Sequence, residues 1–313
     1  MSWLIPSFIL PICSSVFSIG SKTLLHYTHP TSYTAYVLLC SSLIIIFYNI
    51  VSGNKITFSK WSLLSGLTFG LALFGFEDAT HTASNPGLVN AIYRTQSILT
   101  AVASVWMFNS SLSMMSIVGI CITLGSLLVT LYDTEKKMNN SHSKHYHHIE
   151  PMDNKEHKDE KEKEAKRDWI PIVLLSGIML TLKDLTAVKS IKDGMSASSY
   201  VVSQFSVGAL LLLAYKYFKF GTFEIIVNPE DKKSEAISGI AAISIDNVIW
   251  CILLVHLMSI APNPAYPKVI SLISVAITSF FSKYFFPGAE LDKTQWFGVL
   301  GILTGISIMT LGS

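Results

Sequence analysis

Charge is scarce along most of this chain. Only 14% of the 313 residues are Asp, Glu, Lys or Arg, whereas 50% are hydrophobic. The segment 133–168 alone holds 9 of the 23 basic and 10 of the 21 acidic residues. The remaining chain is therefore far more apolar than a soluble domain. Because the net charge of +2 reflects near-cancellation, it gives no reason to expect nucleic acid as a partner.

Patterns typical of catalysis and metal binding are also absent. The four cysteines lie in apolar runs without paired spacing, so neither a disulfide framework nor a zinc site is expected (Cys13, Cys40, Cys121 and Cys251). The sequence has no HExxH motif, no glycine-rich phosphate loop and no Ser/His/Asp arrangement. We interpret the isolated His81 and His256 as packing or cavity-lining residues. We expect no enzyme, no cofactor and no resident metal.

Long apolar runs dominate what is present. A helix needs about 20 apolar residues to cross a bilayer, and ten windows qualify: 3–25, 32–51, 61–81, 86–107, 113–132, 169–189, 197–218, 236–259, 264–286 and 294–312. Strand-like alternation is absent. Because helices and closed barrels alone satisfy backbone groups in lipid, we predict an all-α, multi-pass integral membrane protein with ten transmembrane helices. The lipid bilayer is then a partner, in a membrane that the sequence does not identify.

Two of these runs repeat each other at a constant offset of 178 positions. The matching pairs are Asn85/Asn263, Pro86/Pro264, Ile92/Ile270, Thr100/Thr278, Ser104/Ser282 and Phe108/Phe286. The windows divide five and five, giving a first repeat at 1–132, a linker at 133–168 and a second repeat at 169–313. Since five is odd, the halves insert with opposite orientations. An inverted repeat is typical of a carrier whose substrate binds where the repeats meet.

The linker 133–168 is rich in charge and poor in apolar residues, so we predict that it is disordered or a frayed helix. It also holds five of the nine histidines: His142, His145, His147, His148 and His157. Two interpretations stay open, a solvated linker and a metal-capturing tract that would make the protein a cation or metal transporter.

Each half ends in a pair of helices with recurring small and polar residues. The first half has Ala83-Ser84-Asn85-Pro86-Gly87, Leu99-Thr100-Ala101 and the run from Gly119 to Gly125. The second has Pro262-Asn263-Pro264-Ala265, Ile277-Thr278-Ser279, Gly288-Ala289-Glu290-Leu291, Gln295-Trp296-Phe297-Gly298 and a run to Gly305. These ends resemble the drug/metabolite transporter superfamily in its ten-helix form with two EamA-type repeats. The first half departs from that pattern, because 109–113 contains no acid and Ser116 stands where the family has glutamine.

The resemblance implies a secondary carrier without covalent chemistry. In that superfamily the third, fourth, eighth and ninth helices, with the first and sixth, surround a cavity that opens alternately to each side. Its substrates include amino acids, drugs, nucleotide sugars and sugar phosphates, and the fold does not choose among them. The family usually keeps both termini in the cytoplasm, whereas the distribution of Lys and Arg over the loops favours the opposite orientation.

Ionisable residues inside the apolar windows are the best candidates for substrate contact. Two cations in the repeated helices would form an anion-binding cavity, arginine as a planar fork and lysine as a point charge. The predicted substrate-binding residues are Arg94, Lys268, Tyr93, Tyr266, Lys183 and Lys22. The alternative is that Arg94 and Lys268 pair with Glu77, Asp78 or Asp246, that Lys183 pairs with Asp184, and that Lys22 extends to the interface.

Two prolines are candidates for gating. Pro267 and Pro264 remove backbone hydrogen bonds from the ninth predicted helix, which could loosen it beside the cavity. An ordinary kink is the alternative. Taken together, the sequence predicts a secondary membrane transporter of a small polar or anionic metabolite. A narrower alternative is the exchange of nucleotide sugars or phosphate sugars. The sequence leaves open whether the protein forms a homodimer.

Overall fold

A computed structural model describes residues 3–83, 85–109, 113–126, 129, 169–261, 264–286 and 289–311. The linker 133–168, with its five histidines, and Asn263 lie outside the described residues. The described chain forms these α-helices, with a 3₁₀ turn at Glu230–Lys232: α1 (Leu4–Ser7), α2 (Ile9–Leu25), α3 (Pro30–Val51), α4 (Lys60–Thr82), α5 (Pro86–Arg94), α6 (Gln96–Phe108), α7 (Met114–Ser126), α8 (Trp169–Lys192), α9 (Ala197–Phe220), α10 (Lys233–Ile260), α11 (Tyr266–Ser271), α12 (Ile273–Phe285) and α13 (Lys293–Leu311).

The helices expose the surface expected of a membrane protein. Six helical stretches of the described chain are long and apolar enough to cross a membrane: Leu4–Leu25, Pro30–Val51, Trp169–Lys192, Ala197–Phe220, Glu230–Ile260 and Tyr266–Phe285. Large apolar side chains also face outward, with Trp106 and Phe218 each 87% exposed. Exposed apolar surface of this kind causes aggregation in water, whereas it is stable in contact with lipid. The expectation of an all-α membrane protein is confirmed at this level.

Several helix starts follow from capping residues in the sequence. The Asn85 side chain accepts a hydrogen bond from the Gly87 amide at 2.7 Å, directly before Pro86 at the first helical position of α5. Ser59 and Ser62 form a reciprocal capping box at the start of α4. Both arrangements satisfy amides that have no partner within the helix. They fix where α4 and α5 begin at opposite ends of the bundle.

Two stretches that the sequence predicts as single helices are each interrupted by one residue. Thr95 separates α5 from α6, and Leu272 separates α11 from α12. At both breaks the hydrogen bonds shorten to a three-residue step. The Thr95 amide donates to the Ile92 carbonyl at 3.2 Å, and the Leu272 amide donates to the Val269 carbonyl at 3.0 Å. Such short 3₁₀ steps within helices often mark functional positions.

Small residues allow neighbouring helices to approach closely. Gly70 of α4 faces Gly208 of α9, and a Cβ atom on Gly70 would lie 3.0 Å from the Gly208 Cα. Gly119 of α7 and Gly305 of α13 cross in the same way, each facing the other's backbone. Close crossings at small residues are a principal means of helix association in membranes, where apolar side chains gain little by leaving lipid.

The centre of the bundle is formed by α2, α4, α5, α8 and α10, and the other helices pack around them. α8 packs along α4, α10 packs on α2 and α3, and α12 packs on α2 and α5. The connection after α2 also pairs with the connection before α10, because Thr28 and Val227 form an isolated antiparallel bridge. The described residues contain no longer strand pairing.

Candidate binding cavity

A narrow cavity lies at the centre of the bundle. Its walls are mostly aromatic and aliphatic, and its polar groups come from α2, α5 and α10. The lining residues are Ser14, Phe17, Ser18, Phe69, Leu73, Phe76, Asn90, Tyr93, Arg94, Leu180, Asp246, Asn247 and Trp250. An apolar cavity with a few converging polar groups is the usual form of a small-molecule site.

Arg94 is the most buried charge on the cavity wall, with 7% of its surface exposed. Its guanidinium donates to Asn90 Oδ1 at 3.2 Å, to Ser271 Oγ at 3.2 Å and to Ser14 Oγ. The guanidinium carbon also lies 5.1 Å from the ring centroid of Trp250. Within the described chain, none of these partners is a carboxylate. The positive charge is thus held by neutral oxygens and an aromatic face, which leaves it uncompensated.

Lys268 lies on α11 and forms an ion pair with Asp184 of α8. Lys183 lies 3.4 Å from the other oxygen of the same carboxylate, and all three side chains are almost fully buried. When the Gln96 side-chain amide is oriented to satisfy its neighbours, its oxygen accepts from Lys268 Nζ at 3.1 Å and its nitrogen donates to Asp184 at 3.2 Å. Two ammonium groups therefore share one carboxylate beside the break between α5 and α6.

Lys22 has a different environment at one end of the bundle. Its ammonium donates to the backbone carbonyls of Thr80, His81 and Ala83 at 2.8, 2.9 and 2.8 Å. These carbonyls are the unpaired acceptors where α4 ends, so Lys22 caps that helix end. At the same end, the Asn85 side chain donates to the Ala289 carbonyl. Side-chain contacts thus connect α2, α4, α5 and the segment before α13 here.

A second cavity opens at the opposite end, where α6, α8 and α10 finish. Its lining includes Phe108, Asn109, Lys192, Ser259 and Pro264, and its empty volume is about 1170 Å³. It is larger than the central cavity and carries neither Arg94 nor the Lys268–Asp184 pair. The two ends of the described bundle therefore differ, since hydrogen bonds connect the helices at one end and the larger cavity lies at the other.

The remaining predicted site residues are distributed between these places. Tyr93 lines the central cavity, with its ring 4.6 Å from that of Phe76. Tyr266 instead packs against Trp3, with ring centroids 6.0 Å apart. Pro267 lies in the first turn of α11, where a missing N–H breaks no hydrogen bond within the helix. The helix is interrupted at Leu272 rather than at this proline.

Sequence reasoning did not select several residues that complete the site. Gln96 and Asp184 surround Lys268, while Asn90, Ser14, Ser271 and Trp250 surround Arg94. Two helical spacings were available as signals. Ser14, Ser18 and Ser21 share one face of α2, and Asp246 and Trp250 are four residues apart on α10.

No family model and no curated protein matches this chain. Solved structures do match, among them one described only as a crystal structure of a protein. It superposes with a TM-score of 0.59 at 13% sequence identity, covering 100% of this chain and 99% of that chain. At that identity the similarity concerns the fold alone.

Proposed function

We propose that this chain is a ten-helix secondary carrier that moves a small polar or anionic solute across a membrane by alternating access. The membership in the drug/metabolite transporter superfamily that its sequence motifs suggest is part of this proposal. The observation that carries it is Arg94, a buried cation on a cavity wall without a carboxylate partner within the described chain. A charge in that position is costly, and an anionic group entering the cavity would compensate it.

Buried polar residues explain why α4 and the α5–α6 stretch are less apolar than the six long apolar helices. This explanation supports a count of ten spans. α4 carries the buried acids Glu77 and Asp78, while the α5–α6 stretch carries Asn90, Arg94 and Gln96. Both stretches place polar groups inside the bundle, which lowers their hydropathy without shortening them. With α7 and α13, they would complete ten spans.

The interruptions at Thr95 and Leu272 support an inverted repeat. Ile98 donates to the Thr95 carbonyl at 3.0 Å, and Val275 donates to the Leu272 carbonyl at 2.9 Å. The broken helices therefore share a hydrogen-bond pattern, at an offset of 177 rather than the 178 of the sequence match. Discontinuous helices at the repeat interface are where carriers of this architecture bind substrate.

Contacts between the halves also occur as matched couples. Ser32, at the start of α3, accepts from the Ile226 amide at 3.3 Å, and Ser199, at the start of α9, accepts from the Thr57 amide at 3.3 Å. Likewise α4 packs on α8 as α2 packs on α10, and α9 packs on α4 as α3 packs on α10. Exchanging the first half for the second converts one member of each couple into the other.

The proposal is tested with purified protein. Thermal-shift screening against amino acids, nucleotide sugars and sugar phosphates should identify a solute that raises the melting temperature, because a ligand of the folded state stabilises it. Protein in liposomes should then exchange that solute with saturable kinetics. A protein that is stabilised by none of these solutes and exchanges none of them would contradict the proposed function.

A further inference from the structure

The central cavity carries charges of both signs that do not neutralise each other. Arg94 of α5 and Asp246 of α10 both line it. The ion pairs of the described residues, however, do not include one between these two side chains. A cavity with separate positive and negative groups differs from a purely basic pocket, which would select anions alone.

Unsatisfied polar atoms accompany both charges. Asp246 Oδ2 is buried and has no hydrogen-bond partner among the described residues, although the Cys13 thiol lies beside this carboxylate. The indole Nε1 of Trp250, one helical turn further along α10, also lacks a partner in the described part of the chain. Buried polar atoms are almost always paired, so unpaired atoms on a cavity wall are available to a ligand. The cavity thus offers one acceptor at Asp246 and donors at Arg94 and Trp250.

From these groups we propose that the cavity binds a zwitterion with an apolar body, such as an amino acid with a hydrophobic side chain. Its carboxylate would bind the Arg94 guanidinium and the Trp250 indole N–H. Its ammonium group would bind Asp246 Oδ2. This inference rests on the proposed function and narrows its substrate class.

The walls of the cavity fit the apolar part of such a ligand. Phe17, Phe69, Phe76 and Leu180 supply aromatic and aliphatic surface between the polar groups. Aromatic faces also favour a nearby ammonium group. A sugar phosphate would bring no apolar group to these walls.

The experiment compares matched ligands that differ by one charge. Binding of phenylalanine, phenethylamine and 3-phenylpropionate to the purified protein is measured at about pH 8, above the usual range of carboxylate titration. A second set, leucine with its decarboxylated amine and its deaminated acid, controls for the size of the side chain. The zwitterion should bind at least about 30-fold more tightly than its amine or acid, the ratio that corresponds to one desolvated charge pair.

Variants separate the two charges. Asp246→Asn should lower the affinity for the zwitterion by at least about 30-fold, to the affinity measured for the acid. Arg94→Gln should lower the affinity for the zwitterion to the affinity measured for the amine. Lys189→Gln, in an exposed pair with Asp193, is the matched control and should bind as wild type does. Melting temperatures without ligand check that each variant is folded, and Asp246→Glu provides a charge-retaining second variant.

Failure of this inference differs from failure of the proposed function. If neither zwitterion binds more tightly than its own amine and acid, the zwitterion assignment is overturned. If a sugar phosphate or another anion then binds and is exchanged, the carrier function stands with a different substrate class. Equal losses for zwitterion, amine and acid in both variants would also overturn the assignment, since they would indicate a structural role for the two charges.

Discussion

Lys268 on α11 and Asp184 at the middle of α8 form an ion pair in the interior of the bundle. The same carboxylate also has Lys183 within 3.4 Å, and the Lys183 ammonium makes no hydrogen bond among the described residues. Asp184 therefore compensates two buried cations. This distinguishes Lys268 from Arg94, which has no carboxylate partner among the described residues and remains the better candidate for an anionic ligand.

Removing this shared carboxylate should destabilise the protein strongly. Asp184→Asn would leave two buried ammonium groups without a counter-ion, a change that typically costs about 3–5 kcal/mol. Lys183→Met should instead be neutral or stabilising within about 1 kcal/mol, since it leaves a one-to-one pair and removes a donor without a partner. Melting temperatures in one detergent compare the variants. Equal destabilisation by both substitutions would show that Asp184 does not serve two cations.

The sequence was informative about which residues are buried but not about which of them meet. Lys268 and Arg94 could be predicted as interior cations because they interrupt apolar runs. Their partners depend on how the helices rotate against each other, which periodicity does not determine. From the sequence, Asp184 is an expected partner only of its neighbour Lys183. Glu77 and Asp246 are expected partners of Arg94 or Lys268, although the structure gives neither acid such an ion pair.

Helix breaks were also beyond the sequence patterns. The sequence predicts a weakened helix at Pro267, yet this residue lies in a first turn that tolerates proline. The interruptions fall at Thr95 and Leu272, which are not helix breakers by residue type. Only the packing around them distinguishes these positions. The all-α architecture, by contrast, follows from long apolar runs and could be predicted directly.

The crossing of α7 and α13 should tolerate no side chain at Gly119. A Cβ atom there would collide with the backbone of Gly305 and Met309, so Gly119→Ala should destabilise by about 1–3 kcal/mol. Gly125 lies on the same helix with no described atom within 4 Å of its Cβ position, and Gly125→Ala should be neutral or slightly stabilising. Thermal unfolding compares the pair. Similar melting temperatures for both variants would exclude this close crossing.

The protein should lose stability at acidic pH because His29, which caps α3, becomes protonated. Its Nδ1 accepts from the Thr31 amide at 3.2 Å, and burial, with Lys219, His81 and Lys216 nearby, lowers its pKa to about 4. Since the folded pKa lies below the unfolded value of about 6.5, the contribution is complete above pH 6.5 and is lost as pH falls towards 4. His29→Asn keeps a capping acceptor without titrating. The free energy of unfolding, measured from pH 8 to 4, should therefore decline less in this variant than in the wild type. An identical decline in both proteins would refute the assignment.

Lys22 should control access to the cavity from the end that it closes. Lys22→Gln weakens its bonds to the carbonyls at the end of α4 and should favour the conformation that opens there. The test places a single cysteine at Ser18, on the cavity wall, in a chain without its native cysteines. An impermeant thiol reagent applied on each side of the membrane should label it faster from that end. Lys189→Gln is the control, and unchanged labelling in the Lys22 variant would exclude this role.

Counterflow of the solute found by screening, measured in liposomes, tests the central claim that Arg94 binds what is carried. Wild-type protein and Lys189→Gln should exchange the solute with the same saturable kinetics. Arg94→Gln, at equal protein content and with a folded melting transition, should lower kcat/KM by about 30-fold or more, the loss expected for one buried charge contact. Exchange by Arg94→Gln at the wild-type rate and half-saturation would contradict the account.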